Sequence, residues 1–141
     1  MSYISPALRR AVQERAGGCC EYCLLSREDH TLPFEIDHII SEKHRGLTEL
    51  NNLCFSCWDC NKAKGSDIAS ADPETGKPTF LFHPRNHRWK DHFRLEGAVI
   101  VPLTPEGRVT EFLLQLNDPE RLNERVVLMR LGRYPCKVTD G

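Results

Sequence analysis

The chain has 141 residues, 40% of them apolar and 28% charged, which suits one domain with a modest core and the make-up of an ordinary soluble globular protein. No apolar run approaches the ~20 residues a membrane helix needs, so a membrane partner is not expected. The net charge of −1 excludes a protein that coats nucleic acid over its whole surface, so any such contact must use a local basic patch.

The N-terminal stretch MSYISPALRR has no apolar signal core, and the expected compartment is the cytosol. Residues 5–16 predict a helix. Ser5 can cap it, Pro6 suits its first turn, Ala7, Leu8, Ala11 and Val12 form an apolar stripe, and Gly17-Gly18 ends it. FEIDHII at 34–40 is rich in β-formers and reads as a strand. Residues 41–51 are polar and read as a loop. NLCFS at 52–56 is a second short strand, and CWDCNKAK at 57–64 starts a short helix that Gly65 stops. Residues 66–79 hold Ser, Asp, Gly and Pro and read as a long connection.

Beyond it, FLFHPRNHRWKDHFRL at 80–95 mixes aromatic and basic residues. AVIVP at 98–102 and RVTEFLLQL at 108–116 flank a turn-like TPEG at 104–107, which suggests a hairpin. Asp118-Pro119 then opens a last helix running to about Leu131, with Leu122, Val126 and Met129 on its inner side.

Seven cysteines is a high count for a cytosolic chain, where disulfides are disfavoured and paired cysteines point to metal. Six fall in two clusters: Cys19, Cys20 and Cys23, then Cys54, Cys57 and Cys60. Cys20-Glu-Tyr-Cys23 and Cys57-Trp-Asp-Cys60 are two CxxC knuckles. Facing each other, they would present four thiolates in a closed tetrahedron suited to a structural Zn²⁺. Cys54-Phe-Ser-Cys57 is an alternative pair, but Cys54 sits in an apolar run where cysteine behaves as a small hydrophobe. Cys19 is a second alternative, at a spacing one longer. A redox dithiol is a weaker reading, because no thioredoxin-like context surrounds either pair. Cys136 stands alone and reads as a small buried or tail residue.

Between the knuckles lie EIDHII, LNNL and CNKAKG. An acidic residue beside a histidine within an apolar strand costs stability unless it has a task. Successive strand side chains point to opposite faces, so Asp37 and His38 cannot both be solvent decoration. Phosphodiester hydrolysis needs a base, which imidazole supplies near neutral pH. It also needs a hard cation held by oxygen ligands, which stabilises charge on the phosphorane. Taken singly, His38 is an ordinary strand histidine, Asn52 a loop residue with Asx hydrogen bonds, and Asn61 a helix cap. Only the four residues together, at this spacing, point to the chemistry.

The order CxxC, DH, N-L, CxxCN-x-x-K resembles the HNH endonuclease family over about residues 9–67. It is carried by Cys20, Cys23, Asp37-His38, Gly46, Asn52-Leu53, Cys57, Cys60-Asn61 and Lys64. The resemblance implies an α+β fold built on a zinc-bound ββα-metal finger, here with an N-terminal helix before it and a C-terminal β-hairpin plus helix after it. It implies that His38 is the general base, that Asp37 and Asn61 bind one Mg²⁺ or Mn²⁺, and that Asn52 fixes the loop and orients His38. Cys20, Cys23, Cys57 and Cys60 would hold the structural zinc. Lys64, one turn beyond Asn61, would meet the phosphate backbone. The third family position is Asn61 rather than histidine, and an amide oxygen suits Mg²⁺ better than imidazole does.

Further phosphate contacts are expected from Lys62, Arg45, Arg85 and Arg88, with DNA the expected partner and RNA an alternative. His44, in a basic loop with Lys43 and Arg45, reads as solvated. In 80–95 the aromatics are expected to pack on the zinc module, and a metal site from His83, His87 and His92 is disfavoured by irregular spacing. The division is therefore a nuclease module at 1–79 and a packed extension at 80–141. The rival readings are a non-catalytic zinc-stabilised nucleic-acid-binding module and a zinc protein acting through protein contacts. The last predicts no salt-sensitive DNA affinity.

Overall fold

A computed structural model describes residues 2–137. It is an α+β arrangement of five helices and three two-stranded antiparallel sheets among those residues. Helix α1 runs Pro6–Ala16, where Ser5 Oγ accepts from the Leu8 amide and the helix ends at Gly17. Strands β1 (Glu35–His38) and β2 (Leu53–Ser56) pair, with Asp37 opposite Cys54 and His38 opposite Leu53. Helix α2 (Trp58–Lys64) comes directly after β2, capped by the Cys57 sulfur, which accepts from the Cys60 amide. The 41–51 loop contains two single 3-10 turns, Glu42–His44 and Leu50–Asn52. No helix among the described residues is long and apolar enough to cross a membrane.

The β1–β2 pair has two covered faces, as the unbroken burial of Leu53–Ser56 along β2 shows. On one, Val12 and Ala16 of α1 pack against Leu53 and Phe55, with Leu8 and Ile36 at the edge. Burial of Val12, Leu53 and Phe55 contributes about 1.5–3 kcal/mol each. On the other face, the four knuckle cysteines join a core that continues through Leu81, Phe82, Phe93, Ile100, Val109, Leu114 and Leu128. That core draws on both halves of the chain.

The segment 66–79 is not a plain connection. Strands β3 (Ala69–Ala71) and β4 (Pro78–Phe80) form a hairpin, so the division expected at residue 79 falls inside a strand. Asp72 builds its turn by accepting from the Glu74 amide and the Thr75 hydroxyl, and it also receives Arg108. The Arg108 guanidinium holds the Asp72 carboxyl well below the usual carboxylate range.

The hairpin expected around TPEG is displaced. Helix α3 (Trp89–His92) runs into β5 (Phe93–Glu96), which pairs with β6 (Val99–Pro102). The turn is Gly97-Ala98, where Gly97 takes a φ of +57° that a two-residue hairpin loop favours and other residues resist. TPEG instead starts helix α4 (Pro105–Leu113): Thr104 Oγ1 accepts from the Gly107 amide and Pro105 occupies the first turn. A Thr-Pro pair serves a turn and a helix start equally well, and only the strand partner decides which.

Helix α5 (Pro119–Arg130) lies where the sequence puts it, but its deepest side chains are Arg125 and Leu128. Leu122, Val126 and Met129 are half-buried. Arg125 is tolerated inside because it donates to the Ala98 and Leu116 carbonyls and to Asn117 Oδ1.

Cys136 is not a solitary tail residue. It forms a disulfide with Cys19, 117 positions away, and its amide donates to the Leu24 carbonyl. A link closing so long a loop removes much unfolded-state freedom, typically about 2–4 kcal/mol. Cys136→Ser is expected to lower the melting temperature of the oxidised protein by roughly 10 °C. Addition of a thiol reductant should lower the wild type similarly and leave the variant unmoved. Equal melting of oxidised wild type and variant would show that the link does not hold the tail in solution.

Candidate functional site

The two knuckles converge. The sulfurs of Cys20, Cys23, Cys57 and Cys60 lie within 4.8 Å of one another, and all four residues are buried. Cys23 Sγ and Cys57 Sγ are 3.7 Å apart. That is far from a disulfide, and it matches the edge of about 3.8 Å of a tetrahedron with Zn–S bonds of ~2.3 Å. The Cys23 amide donates to Cys20 Sγ at 3.5 Å and the Cys60 amide to Cys57 Sγ at 3.4 Å, so each knuckle stabilises thiolate charge with its own backbone. The donor set therefore fits Zn²⁺. Arg121 of α5 donates to Cys60 Sγ at 2.9 Å, a cation at a cluster whose thiolates outweigh a divalent ion. Arg121 carries no motif signal, and only the packing of α5 reveals it.

The intervening knuckle residues are also employed. Glu21 accepts from the Phe55 amide at 2.8 Å and pairs with Arg85. Burial raises the Glu21 carboxyl, with Arg85 opposing the shift. Tyr22 donates its hydroxyl to Asp37 Oδ2 at 2.9 Å. Asp37 is only 4% exposed. Its carboxylate also receives the Lys64 ammonium at 3.3 Å on Oδ1 and 3.2 Å on Oδ2. The Cys54 thiol adds a long contact of 3.6 Å to Oδ2. Burial raises the Asp37 carboxyl, and Lys64 works against the rise. Burial likewise pushes the Cys54 thiol well up, with the Asp37 charge adding to it, so Cys54 stays a neutral thiol outside the metal cluster.

His38 is half-buried, and the strand turns it away from Asp37. Its Nε2 lies 2.9 Å from Thr48 Oγ1 and 3.9 Å from Glu42 Oε1. Glu42 is held in place by the backbone amide and hydroxyl of Ser2. Neither Thr48 nor Glu42 is flagged by a motif. Both come from the 41–51 loop, whose fold brings them over the end of β1.

Asn52 shapes that loop. It is buried, its Oδ1 accepts from the Ile40 amide, and its Nδ2 donates to the Ile40 and Leu47 carbonyls, all at 2.9 Å. Gly46 passes so close that a Cβ there would sit 1.6 Å from the Ile40 carbonyl oxygen and 2.8 Å from Asn52 Nδ2. Asn61 is half-buried on α2, one turn before Lys64.

These positions redistribute the expected charges. Lys64 is 1% exposed and spends its ammonium on Asp37 and the His38 carbonyl, so it offers no donor to a phosphate outside. Arg85 is engaged by Glu21. Arg45, Lys62 and Arg88 remain exposed, with Lys62 lying over the Trp58 ring at 4.5 Å. Of the aromatics in 80–95, Phe82, Trp89 and Phe93 pack into the core, and Phe80 is exposed. His83 and His87 use Nδ1 to accept backbone amides, while His92 Nδ1 meets Thr104, so the three share no common point for an ion.

Residues 20–67 match the model of the HNH endonuclease family. The match covers one segment of the chain. It begins at the first knuckle cysteine and ends just past α2, so it contains the cysteine cluster, Asp37, His38, Asn52 and Asn61. No curated protein matches the chain, and no solved structure does. For the hard cation of such a segment, Asp37 and Asn61 do not form an open oxygen shell as arranged, because both Asp37 oxygens already take the lysine.

Gly46→Ala should destabilise the protein by about 1–3 kcal/mol, since the Ile40 carbonyl and Asn52 must both give way, and chemical denaturation would measure it. An unchanged midpoint would mean the loop does not run against Ile40. Stripping metal with a strong chelator should release one zinc per chain and lower the melting temperature, and one equivalent of Zn²⁺ should restore it. Stability indifferent to chelation would remove the cysteine cluster from the fold's support.

Proposed function

We propose that the protein is a divalent-metal-dependent endonuclease acting on DNA, with a structural zinc in the four-cysteine cluster. In this reading β1, β2 and α2 serve as the ββα unit of the HNH segment, residues 1–79 as the nuclease module and 80–141 as its packed extension. The observation that carries it is His38. It stands at the end of β1 beside a loop locked by Asn52, with Nε2 engaged by Thr48, inside a segment that matches an endonuclease family.

In the tautomer whose Nε2–H donates to Thr48, the lone pair lies on Nδ1, which takes a proton from water. The water oxygen bonds to phosphorus, the P–O bond to the leaving oxygen breaks, and that oxygen is protonated from solvent. Asp37 and Asn61 are the residues that would hold Mg²⁺ or Mn²⁺, and such an ion would supply stabilisation of the phosphorane charge. Asp37 can take such an ion only in exchange for the Lys64 ammonium, because both compete for the same two oxygens. Arg45, Lys62 and Arg88 are the proposed phosphate contacts, with RNA as the alternative nucleic acid.

A second reading is favoured by that same buried pair. If Lys64 never leaves Asp37, the module binds nucleic acid without cutting it.

Supercoiled plasmid incubated with Mg²⁺ or Mn²⁺ separates the two. Nicking by the wild type, abolished by EDTA and reduced by about 10²–10⁴-fold in His38→Ala, supports the nuclease. Asn61→Ala should raise the metal concentration needed for half-maximal cleavage. A wild type that binds DNA in a salt-sensitive way under every metal, and never cuts, supports the binding module.

A further inference from the structure

His30 lies in the stretch between the first knuckle and β1, just after a single 3-10 turn at Arg27–Asp29. Its side chain is 9% exposed. Nδ1 lies 3.1 Å from Glu124 Oε2 on α5, which accounts for one ring nitrogen as a hydrogen bond. Nε2 lies 3.7 Å from Asp59 Oδ2 on α2, too far for one. That nitrogen is buried and has no hydrogen-bond partner among the described residues. A buried polar nitrogen left so is costly, and it faces the Asp59 carboxylate while Glu124 occupies the other ring nitrogen.

The three side chains offer one donor atom each within 4.8 Å of one another. Metal–nitrogen and metal–oxygen bonds of about 2.0–2.2 Å close such a set once Glu124 exchanges its hydrogen bond with the ring for the ion. The carboxylates are each about one-third exposed, so an ion has a route in and water can complete its shell. One imidazole and two carboxylates suit Zn²⁺, Co²⁺, Ni²⁺ or Mn²⁺. The residues come from the stretch before β1, from α2 and from α5, and Asp59 sits between the two cysteines of the second knuckle while its carboxylate stays outside the sulfur cluster.

We propose that His30, Asp59 and Glu124 form a second divalent metal site, of nitrogen and oxygen donors, that clamps α5 to α2 and to the segment before β1. It is independent of the cysteine cluster and of any nuclease activity. The competing account is an imidazolium bridging two carboxylates with no ion.

The test is metal stoichiometry on the intact, zinc-loaded protein, dialysed against metal-free buffer and titrated with Co²⁺ by calorimetry and visible absorption. A second equivalent is expected, with weak d–d bands and no thiolate charge-transfer band. Glu124→Gln and Asp59→Asn are near-isosteric changes at partly exposed positions, and circular dichroism checks their folding. Each should weaken the second equivalent by about tenfold or more while the zinc stays bound. Asn61→Ala should leave it unchanged, which separates this site from the proposed catalytic ion. Uptake of only one metal by the wild type would overturn the proposal, whatever the variants do. So would a second equivalent insensitive to Glu124 and Asp59, or one lost in Asn61→Ala.

Discussion

The convergence of Cys20, Cys23, Cys57 and Cys60 is the constraint on which the rest of this fold hangs. It brings a knuckle from residue 20 against one from residue 57, and everything between them becomes a closed loop of chain. Within that loop the β1–β2 pair is only four residues long on each side, too short to persist alone. Its stability is borrowed from α1 on one face and from the cysteine cluster on the other. A Zn²⁺ with four thiolates carries a net charge of about −2. Burial of that charge explains the knuckle amides aimed at sulfur, and it explains why α5 brings Arg121 to Cys60.

The strand alternation at Asp37 and His38 has consequences beyond packing. Asp37 goes inward, where Tyr22, Cys54 and Lys64 surround it. His38 goes to the opposite face, where Thr48 and Glu42 meet it. A buried carboxylate without a cation would be costly, and Lys64 supplies one from α2. The lysine thereby stabilises the hairpin–helix contact and at the same time competes with any metal for Asp37. The same side chain thus neutralises the buried carboxylate and occupies both of its oxygens.

The C-terminal half behaves as part of the same core. Phe82, Phe93, Ile100 and Val109 share a cluster with the knuckle cysteines. Trp89 donates its indole N–H to the Tyr22 carbonyl, and Tyr134 donates its hydroxyl to the Cys23 carbonyl. Both tie distant chain to the first knuckle, beside the Cys19–Cys136 link. In a reducing compartment that link would open, and the tail would then depend on Tyr134 and the neighbouring packing.

Local chemistry made part of this legible in advance. Ser5-Pro6 with Gly17 marks α1 because capping and helix-stop preferences act within a few residues. The CxxC spacing marks the metal cluster because one knuckle is one short turn. Asp37-His38, Asn52 and Asn61 stand out through the resemblance of their order to the HNH family, and their catalytic roles belong to the proposal. The remainder was set by partners distant in the chain. TPEG became a helix start because β6 pairs with β5 rather than with the residues after it. Lys64 turned inward because Asp37 lies across from α2. Cys136 found Cys19 because α5 returns the tail to the first knuckle, and His30, Asp59 and Glu124 meet for the same reason. Spacing along a chain determines which residues can act within one turn or knuckle. Which charges are neutralised, and by whom, is decided only when separate elements pack and exclude water.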